Sequence, residues 1–272
     1  MRSGTVAANG IDIRYRVDGT DGPWVTFSNS LLTDLSIWDD QATALSTRYR
    51  VLRYDHRGHG GTASTDGAYS FDQLAEDAHA LLDALDIAET HFVGISMGGN
   101  TGAVLAHRWP DRISSLAMCD CQPRSTAASG AAWEERRQIA RSFGLDTIVD
   151  SAMERWFEAD FLASDPGREP RLRSMMQTTS IAGYVGCVSV LADYDVSEVI
   201  ESLQLPLLLL AGERDGTTPQ VLANLAEQVP QARFRSIPDA GHISCVDGAD
   251  AFTRALTTFL DSQLPFNTVG DR

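Results

Sequence analysis

Ser96 lies in the segment GISMG, where Gly94 and Gly98 stand two residues before it and two residues after it. An apolar run precedes this segment and a helical pattern follows it, as in the strand–turn–helix of a G-x-S-x-G nucleophile elbow. The backbone of such an elbow turns so sharply that side chains two positions from the serine would collide, which explains both glycines. The pattern predicts a nucleophilic hydroxyl on Ser96; an ordinary glycine-flanked turn is the alternative.

A serine hydroxyl needs a base, which lies C-terminal to the serine in proteins that carry this motif. Two of the six histidines meet that condition, His107 and His242. His107 falls in the helical pattern after the elbow and is expected to point away from the strand end. His242 follows the last predicted strand in a glycine-containing loop, so we predict that His242 is the general base.

The acid of a catalytic triad holds the imidazole in one tautomer and offsets the charge of the imidazolium. Asp215 follows the apolar run LPLLLLAG and precedes turn residues, which makes it the predicted acid. Asp120 ends the run ISSLAMCD and is the competing candidate, because both positions present a carboxylate at the same edge of a parallel sheet.

An oxyanion hole requires two backbone donors, which leave no side-chain signature. The N–H of Met97 is one expected donor, because it opens the helix after the elbow, where the helix dipole favours negative charge. The other is the N–H of Leu31, in the loop NSLLTD that follows the run WVTFS.

These groups need a sheet to position them. A hairpin is predicted over residues 5–19 around Asn9-Gly10. Further strands are predicted at 24–28, 50–55, 91–96, 113–120, 206–212 and 232–237. Their apolar residues are nearly continuous, as expected for strands buried on both faces of a parallel sheet. Helical patterns at 71–86, 99–109 and 251–263 separate or follow them, so we predict a three-layer α/β fold.

The strand–helix alternation stops between residues 121 and 200, where the patterns are helical. We predict a helical lid at 121–200, inserted after the sixth strand of a core formed by residues 1–120 and 201–272. Such an insertion would cover the carboxyl edge of the sheet, where ligands bind in open α/β sheets.

Composition excludes several classes of function. A net charge of −15 argues against nucleic acid and anionic membranes as partners. The chain contains no lysine, which rules out Schiff-base, Ser–Lys and P-loop chemistry. Four cysteines, an N-terminus without an apolar signal core and the lack of a long apolar run predict a cytoplasmic protein. A homo-oligomer remains open.

Taken together, these motifs resemble the α/β-hydrolase fold: a mostly parallel eight-stranded sheet flanked by helices, with a helical lid. More narrowly, the chain resembles the 3-oxoadipate enol-lactonases in segments that include FSNSLLTDLSIWDDQ, YDHRGHGGT, HFVGISMGG, RWFEADF and AGHISCVDGADAF. Asn-Ser at 29–30 carries most weight, because most relatives have His-Gly there. The resemblance implies catalytic Ser96, Asp215 and His242, oxyanion donors at Leu31 and Met97, and no cofactor or metal.

The resemblance also implies a small lactone or ester substrate that bears a carboxylate. Trp133 is a candidate wall of the substrate pocket and Asn29 a candidate contact. Arg136, Arg57 or Arg124 would pair with the carboxylate, and the sequence does not choose among them. The segments GHGGT and CDCQPRST depart from the family pattern and leave the substrate open.

Two other functions fit the sequence. One is a broad carboxylesterase or a C–C bond hydrolase of ring-cleavage products that uses the same triad. The other is a small-ligand receptor of the same fold without useful turnover. An aspartate nucleophile, as in haloalkane dehalogenases, does not fit, because residue 96 is serine.

Overall fold

The computed structural model describes residues 1–264. The last part of the predicted second core segment, residues 265–272, lies outside this range. Eight strands form one sheet in the order β1-β2-β4-β3-β5-β6-β7-β8. The strands are β1 (Arg2–Ala8), β2 (Ile11–Asp18), β3 (Trp24–Ser28), β4 (Arg50–Tyr54), β5 (Thr90–Ile95), β6 (Ile113–Cys119), β7 (Leu207–Gly212) and β8 (Ala232–Ile237).

The sheet is antiparallel at one end and parallel elsewhere. β2 pairs antiparallel with β1 and with β4, whereas every pair from β4 through β8 is parallel. All positions of β5 and β7 are buried, as their continuous apolar runs predict. β8 lies at the edge and alternates in burial along most of its length. The carboxyl ends of the parallel strands therefore meet at one edge.

Twelve helices in the described range flank or follow these strands. They are α1 (Asp39–Leu45), α2 (Phe71–Ala84), α3 (Met97–Arg108), α4 (Ala127–Phe143), α5 (Asp146–Trp156), α6 (Ala159–Ala163), α7 (Arg168–Met176), α8 (Ile181–Ala192), α9 (Ser197–Ser202), α10 (Thr218–Gln228), α11 (Ser244–Asp247) and α12 (Ala249–Asp261). Helix α2 packs on α3, and α1 packs on α12. The predicted fold class is confirmed; the core helices α1, α10 and α11 are not predicted from the sequence.

The insertion between β6 and β7 contains helices and no strand of the sheet. Its two ends run side by side, because an isolated bridge joins Arg124 to Asp195 and the Ser125 N–H donates to the Tyr194 carbonyl at 2.9 Å. Helices α4 and α8 pack together beyond this neck. Helix α9, in which the predicted boundary at residue 200 falls, packs against α3 of the core.

Within residues 1–264, no single helix has the length and apolar character of a membrane span. Helices α7 and α8 meet that description only as a pair bent by 86°.

Candidate active site

Ser96 occupies the sharp turn between β5 and α3, with φ +52° and ψ −117°. A non-glycine residue rarely adopts this conformation, and such strain is retained where surrounding contacts enforce it. A Cβ on Gly94 would overlap the carbonyl of Gly98, and a Cβ on Gly98 would overlap the carbonyl of Ser28. Both glycines are therefore required by close backbone approach, as predicted for an elbow.

The three predicted triad residues form one hydrogen-bonded chain. His242 Nε2 lies 3.1 Å from Ser96 Oγ. On its other side, His242 Nδ1 lies 3.0 Å from Asp215 Oδ2. These distances are within hydrogen-bond reach for a nucleophile, its base and the group that orients the base. His107 lies apart from them, on the protein surface, where it bonds to Ser202 Oγ at 2.9 Å.

The electrostatics of the pair suit proton transfer from Ser96. Burial lowers the pKa of His242, whereas the charge and hydrogen bond of Asp215 raise it. The net result is a pKa above the ordinary histidine value. Burial raises the pKa of Asp215, but the charge and hydrogen bond of His242, together with a hydrogen bond from Thr218 and the charge of Arg155, outweigh it and leave this pKa below its usual range. Asp215 thus stabilises the imidazolium that would form when His242 takes the proton.

Asp120 reaches the same sheet edge but has other partners. Its Oδ1 accepts from the Gly212 N–H at 2.7 Å, and its Oδ2 accepts from the Ser244 hydroxyl at 2.5 Å and N–H at 3.2 Å. Burial, and then the charge of Asp215, raise the pKa of Asp120 to about 8. Asp120 therefore ties the end of β7 to the loop that carries His242, while Asp215 contacts the imidazole.

The two predicted oxyanion donors lie beside Ser96. Leu31 and Met97 both line the cavity that Ser96 faces. As the first residue of α3, Met97 has an N–H without an acceptor in its own helix. The Leu31 N–H donates to no protein atom within residues 1–264. Leu32, the next residue, has φ +64°, a strained conformation that fixes the path of this loop.

The prediction that Asn29 contacts substrate is wrong. Its side chain is fully buried: Nδ2 donates to the Tyr54 carbonyl at 2.8 Å and Oδ1 accepts from Trp38 Nε1 at 2.9 Å. Both polar atoms are thus used to anchor the loop to β4 and to the 3-10 turn at Leu35–Trp38. Position in the sequence indicated the right loop but not the direction of the side chain.

The cavity above Ser96 has a volume of about 350 Å³. Core residues form one side of it, and residues from the insertion form the other. The lining includes Ser30, Leu31, Ser96, Met97, Asn100, Asp215 and His242 from the core, and Arg124, Trp133, Arg136, Arg155 and Trp156 from the insertion. We call these two sets the floor and the roof.

Three arginines of the roof line the cavity: Arg124, Arg136 and Arg155. Arg124 and Arg155 are exposed at its mouth and Arg136 is half-buried. Within residues 1–264 none of the three has a carboxylate within 4.0 Å. Although part of the Arg155 side chain is exposed, the surrounding protein desolvates its guanidinium, and this desolvation, followed by the charge of Arg136, lowers the pKa of Arg155. Within residues 1–264 the roof therefore offers three arginines that form no ion pair, in a chain of net charge −15.

Arg57 was a candidate for the same role, and the structure removes it. Its guanidinium is buried and forms two hydrogen bonds with the Asp77 carboxylate, at 2.6 and 2.5 Å. Asp77 lies on the buried side of α2 and also accepts from Asn9 at 2.7 Å. This ion pair is buried and neither residue lines the cavity. The Arg57 guanidinium is therefore not available to a substrate carboxylate.

Two aromatic side chains of the roof lie close to the site. The Arg136 guanidinium stacks over Trp133 at 4.7 Å, so these two predicted residues act as one surface. Trp156 packs against His242, with ring centroids 5.6 Å apart. Arg155 and Trp156 are not among the site residues predicted from the sequence, although both belong to the segment RWFEADF that carries the family resemblance.

Comparisons with known proteins agree with this architecture. A model of the alpha/beta hydrolase fold family matches residues 23–249. The chain is 35% identical to 3-oxoadipate enol-lactonase 2 of Acinetobacter baylyi, over 93% of this chain and 94% of that protein. It is 28% identical to a putative carbamate hydrolase RutD of Caulobacter, over 97% and 99%. The enol-lactonase structure from Burkholderia xenovorans LB400 superposes with a TM-score of 0.91 at 38% identity, over 95% and 100% of the chains.

Proposed function

This chain belongs to the α/β-hydrolase family, and we propose that it opens the lactone ring of 3-oxoadipate enol-lactone in bacterial aromatic catabolism. Ser96, His242 and Asp215 are its proposed triad, and the amides of Leu31 and Met97 its proposed oxyanion donors. The similarity to enol-lactonases over nearly the whole chain supports this choice.

The observation that carries the proposal is the set of arginines that line the same cavity as Ser96 and form no ion pair within residues 1–264. An enol-lactone that bears a carboxylate presents both a reactive carbonyl and an anionic end. Arg136 and Arg155 can take the anionic end while Ser96, in the same cavity, faces the ring. A charge-assisted pair of this kind contributes about 1.5–3 kcal/mol to binding. Simple esters lack this carboxylate and therefore cannot form the contact with the arginines.

The mechanism follows the geometry. His242 Nε2 takes the proton of Ser96 as its oxygen attacks the lactone carbonyl carbon, and the resulting oxyanion accepts from the amides of Leu31 and Met97. The ring C–O bond breaks, and the leaving enol oxygen receives that proton from His242. Water activated by His242 then cleaves the acyl-enzyme ester and frees Ser96. The released enol tautomerises to the 3-oxo acid.

The test compares kcat/KM for the enol-lactone, generated in situ, with kcat/KM for a p-nitrophenyl ester and for a carbamate. We expect kcat/KM for the lactone to exceed both other values by about 10- to 100-fold, the value of one charge-assisted contact. A higher kcat/KM for the simple ester would instead identify a broad carboxylesterase. A higher value for the carbamate would place the chain with its RutD relatives.

A receptor without turnover is tested separately with a fluorophosphonate, which labels only an activated serine. We expect a covalent adduct on Ser96 that is absent from Ser96→Ala. An unlabelled wild-type protein would support the receptor and refute the enzyme.

A further inference from the structure

The loop that carries Leu31 holds almost all of its polar side chains in hydrogen bonds. Ser28 Oγ bonds to Tyr54 OH at 2.9 Å and to His56 Nε2 at 3.0 Å. Thr33 Oγ1 donates to the Ser30 carbonyl at 2.9 Å. Asn29 is anchored through both atoms of its amide, as described above, and Asp34 accepts from the Ser36 N–H at 2.8 Å. The bonds of Ser28 and Asn29 fix the loop against neighbouring elements of the core, and those of Thr33 and Asp34 close turns within the loop.

Ser30 is the exception. Its side chain is 1% exposed, and within residues 1–264 its hydroxyl has no hydrogen-bond partner. An unsatisfied buried hydroxyl costs about 1–3 kcal/mol. The residue also lines the cavity that Ser96 faces, directly before the Leu31 amide in the chain. Within residues 1–264 the Ser30 hydroxyl therefore makes no hydrogen bond that stabilises the fold, and the residue lies at the edge of the cavity that Ser96 faces.

We propose that the Ser30 hydroxyl is a third hydrogen-bond donor of the oxyanion hole, beside the amides of Leu31 and Met97. When Ser96 attacks a carbonyl, the charge that develops on the carbonyl oxygen gives the Ser30 O–H an acceptor. The bond forms in the transition state and is weak or missing in the ground state, so it raises kcat rather than lowering KM. The neighbouring bonds hold Ser30 in place, so little reorganisation is needed.

The inference rests on the proposed serine-hydrolase function but not on the choice of substrate. An oxyanion forms with any ester that Ser96 attacks, so the effect of Ser30 is expected with the enol-lactone and with a p-nitrophenyl ester alike. If the wild type hydrolyses only the p-nitrophenyl ester, the lactonase proposal fails while the Ser30 proposal is still tested on that ester.

The experiment compares Ser30→Ala, Ser30→Thr and Ser28→Ala with the wild type. For Ser30→Ala we expect kcat to fall about 10- to 100-fold with KM changed by less than about 3-fold. Phosphonylation of Ser96 by a fluorophosphonate should slow by a similar factor, because its phosphoryl oxygen occupies the oxyanion hole. Ser30→Thr keeps the hydroxyl and should recover most of both rates. The Tm of Ser30→Ala should equal or exceed that of the wild type, because no partner is lost.

Ser28→Ala is the matched control, since it removes a neighbouring hydroxyl that has two partners. It should lower Tm because the buried Tyr54 hydroxyl loses its partner and His56 Nε2 keeps only its bond to the Asn29 carbonyl. The proposal is overturned if Ser30→Ala keeps kcat and the phosphonylation rate within about 2-fold of the wild type. It is equally overturned if Ser30→Ala lowers Tm as Ser28→Ala does while the phosphonylation rate is unchanged, because that result would describe a structural hydroxyl.

Discussion

The floor and the roof of the cavity are held by different kinds of contact. On the floor, backbone fits backbone: Gly94 and Gly98 pass so close to neighbouring carbonyls that no side chain is tolerated. In the roof, charged and aromatic side chains project from helices, and the arginines that line the cavity have no carboxylate partner in the described range. Under the proposed function, the residues of the floor carry out the reaction and those of the roof select the substrate.

The largest expected effect comes from the floor. Ser96→Ala should lower kcat about 10⁵- to 10⁶-fold with every substrate, because it removes the attacking atom. Steady-state assays with the enol-lactone and a p-nitrophenyl ester measure this loss, and circular dichroism checks that the fold persists. Turnover above about 1% of the wild-type rate with either substrate would refute the role of Ser96.

Asp215→Asn should lower kcat about 10³- to 10⁴-fold, because the imidazole loses its orienting charge. Asp120→Asn is its control, since Asp120 bonds to Gly212 and Ser244 instead of His242. It should cost about 1–3 kcal/mol of folding free energy, because an amide NH₂ would face these donors. Urea titration measures that cost. A greater loss of kcat in Asp120→Asn than in Asp215→Asn would reverse the assignment.

Variants of the roof should change selectivity and leave the chemistry intact. Arg136→Gln and Arg155→Gln should each raise KM for the enol-lactone about 10- to 100-fold, the value of one charge-assisted contact. Turnover of p-nitrophenyl acetate should remain within about 3-fold of the wild type. Arg141→Gln, which changes an exposed arginine of α4 outside the cavity lining, should alter neither. Equal losses with both substrates would break the division between floor and roof.

The pH dependence of kcat/KM should report the protonation of His242, a residue of the floor. His242 must be neutral to accept a proton, and its pKa is raised by Asp215 against the opposing effect of burial. Activity should therefore fall on the acidic side with a midpoint above the ordinary histidine value of about 6.5. In Asp215→Asn the residual activity should show a lower midpoint. A midpoint that is unchanged in this variant would contradict the coupling.

Acid should destabilise the folded protein through two buried histidines that follow β4. Burial lowers the pKa of His56 to about 3 and of His59 to about 4. The unfolded chain binds these protons below about pH 6.5, so stability is lost as pH falls from there, by about 1.4 kcal/mol per pH unit for each histidine. The insertion contains no histidine and should contribute no such slope.

Urea titrations between pH 7 and pH 5 measure this slope, and His59→Asn should reduce it by the share of one group. His107→Asn, at the protein surface, is the control and should leave the slope as it is in the wild type. A slope equally steep in His59→Asn would mean that other groups cause the loss.

The sequence predicted the floor better than the roof for a physical reason. An elbow leaves its mark on glycines at fixed spacing, and buried parallel strands leave continuous apolar runs, so Ser96 and the strands could be placed from local pattern. The partner of an arginine depends on which helix faces it. Arg57 forms an ion pair with Asp77, 20 residues along the chain, whereas Arg155 lines the cavity. Neither outcome is encoded in the residues beside them.

The same limit applies to single side chains of the loop that carries Leu31. Asn29 and Ser30 are adjacent and both polar, yet Asn29 is fully bonded within the core and Ser30 has no protein partner in the described range. Only the path of the loop, with its strained Leu32, separates their roles.

The most direct test of the account is to isolate the covalent intermediate. Wild-type protein mixed with the enol-lactone, quenched in acid within one turnover and digested, should yield a peptide containing Ser96 that carries the mass of the opened lactone as an ester. Ser96→Ala should yield no modified peptide. An ester on another residue, or full turnover with no ester on Ser96 at any quench time, would contradict the central claim.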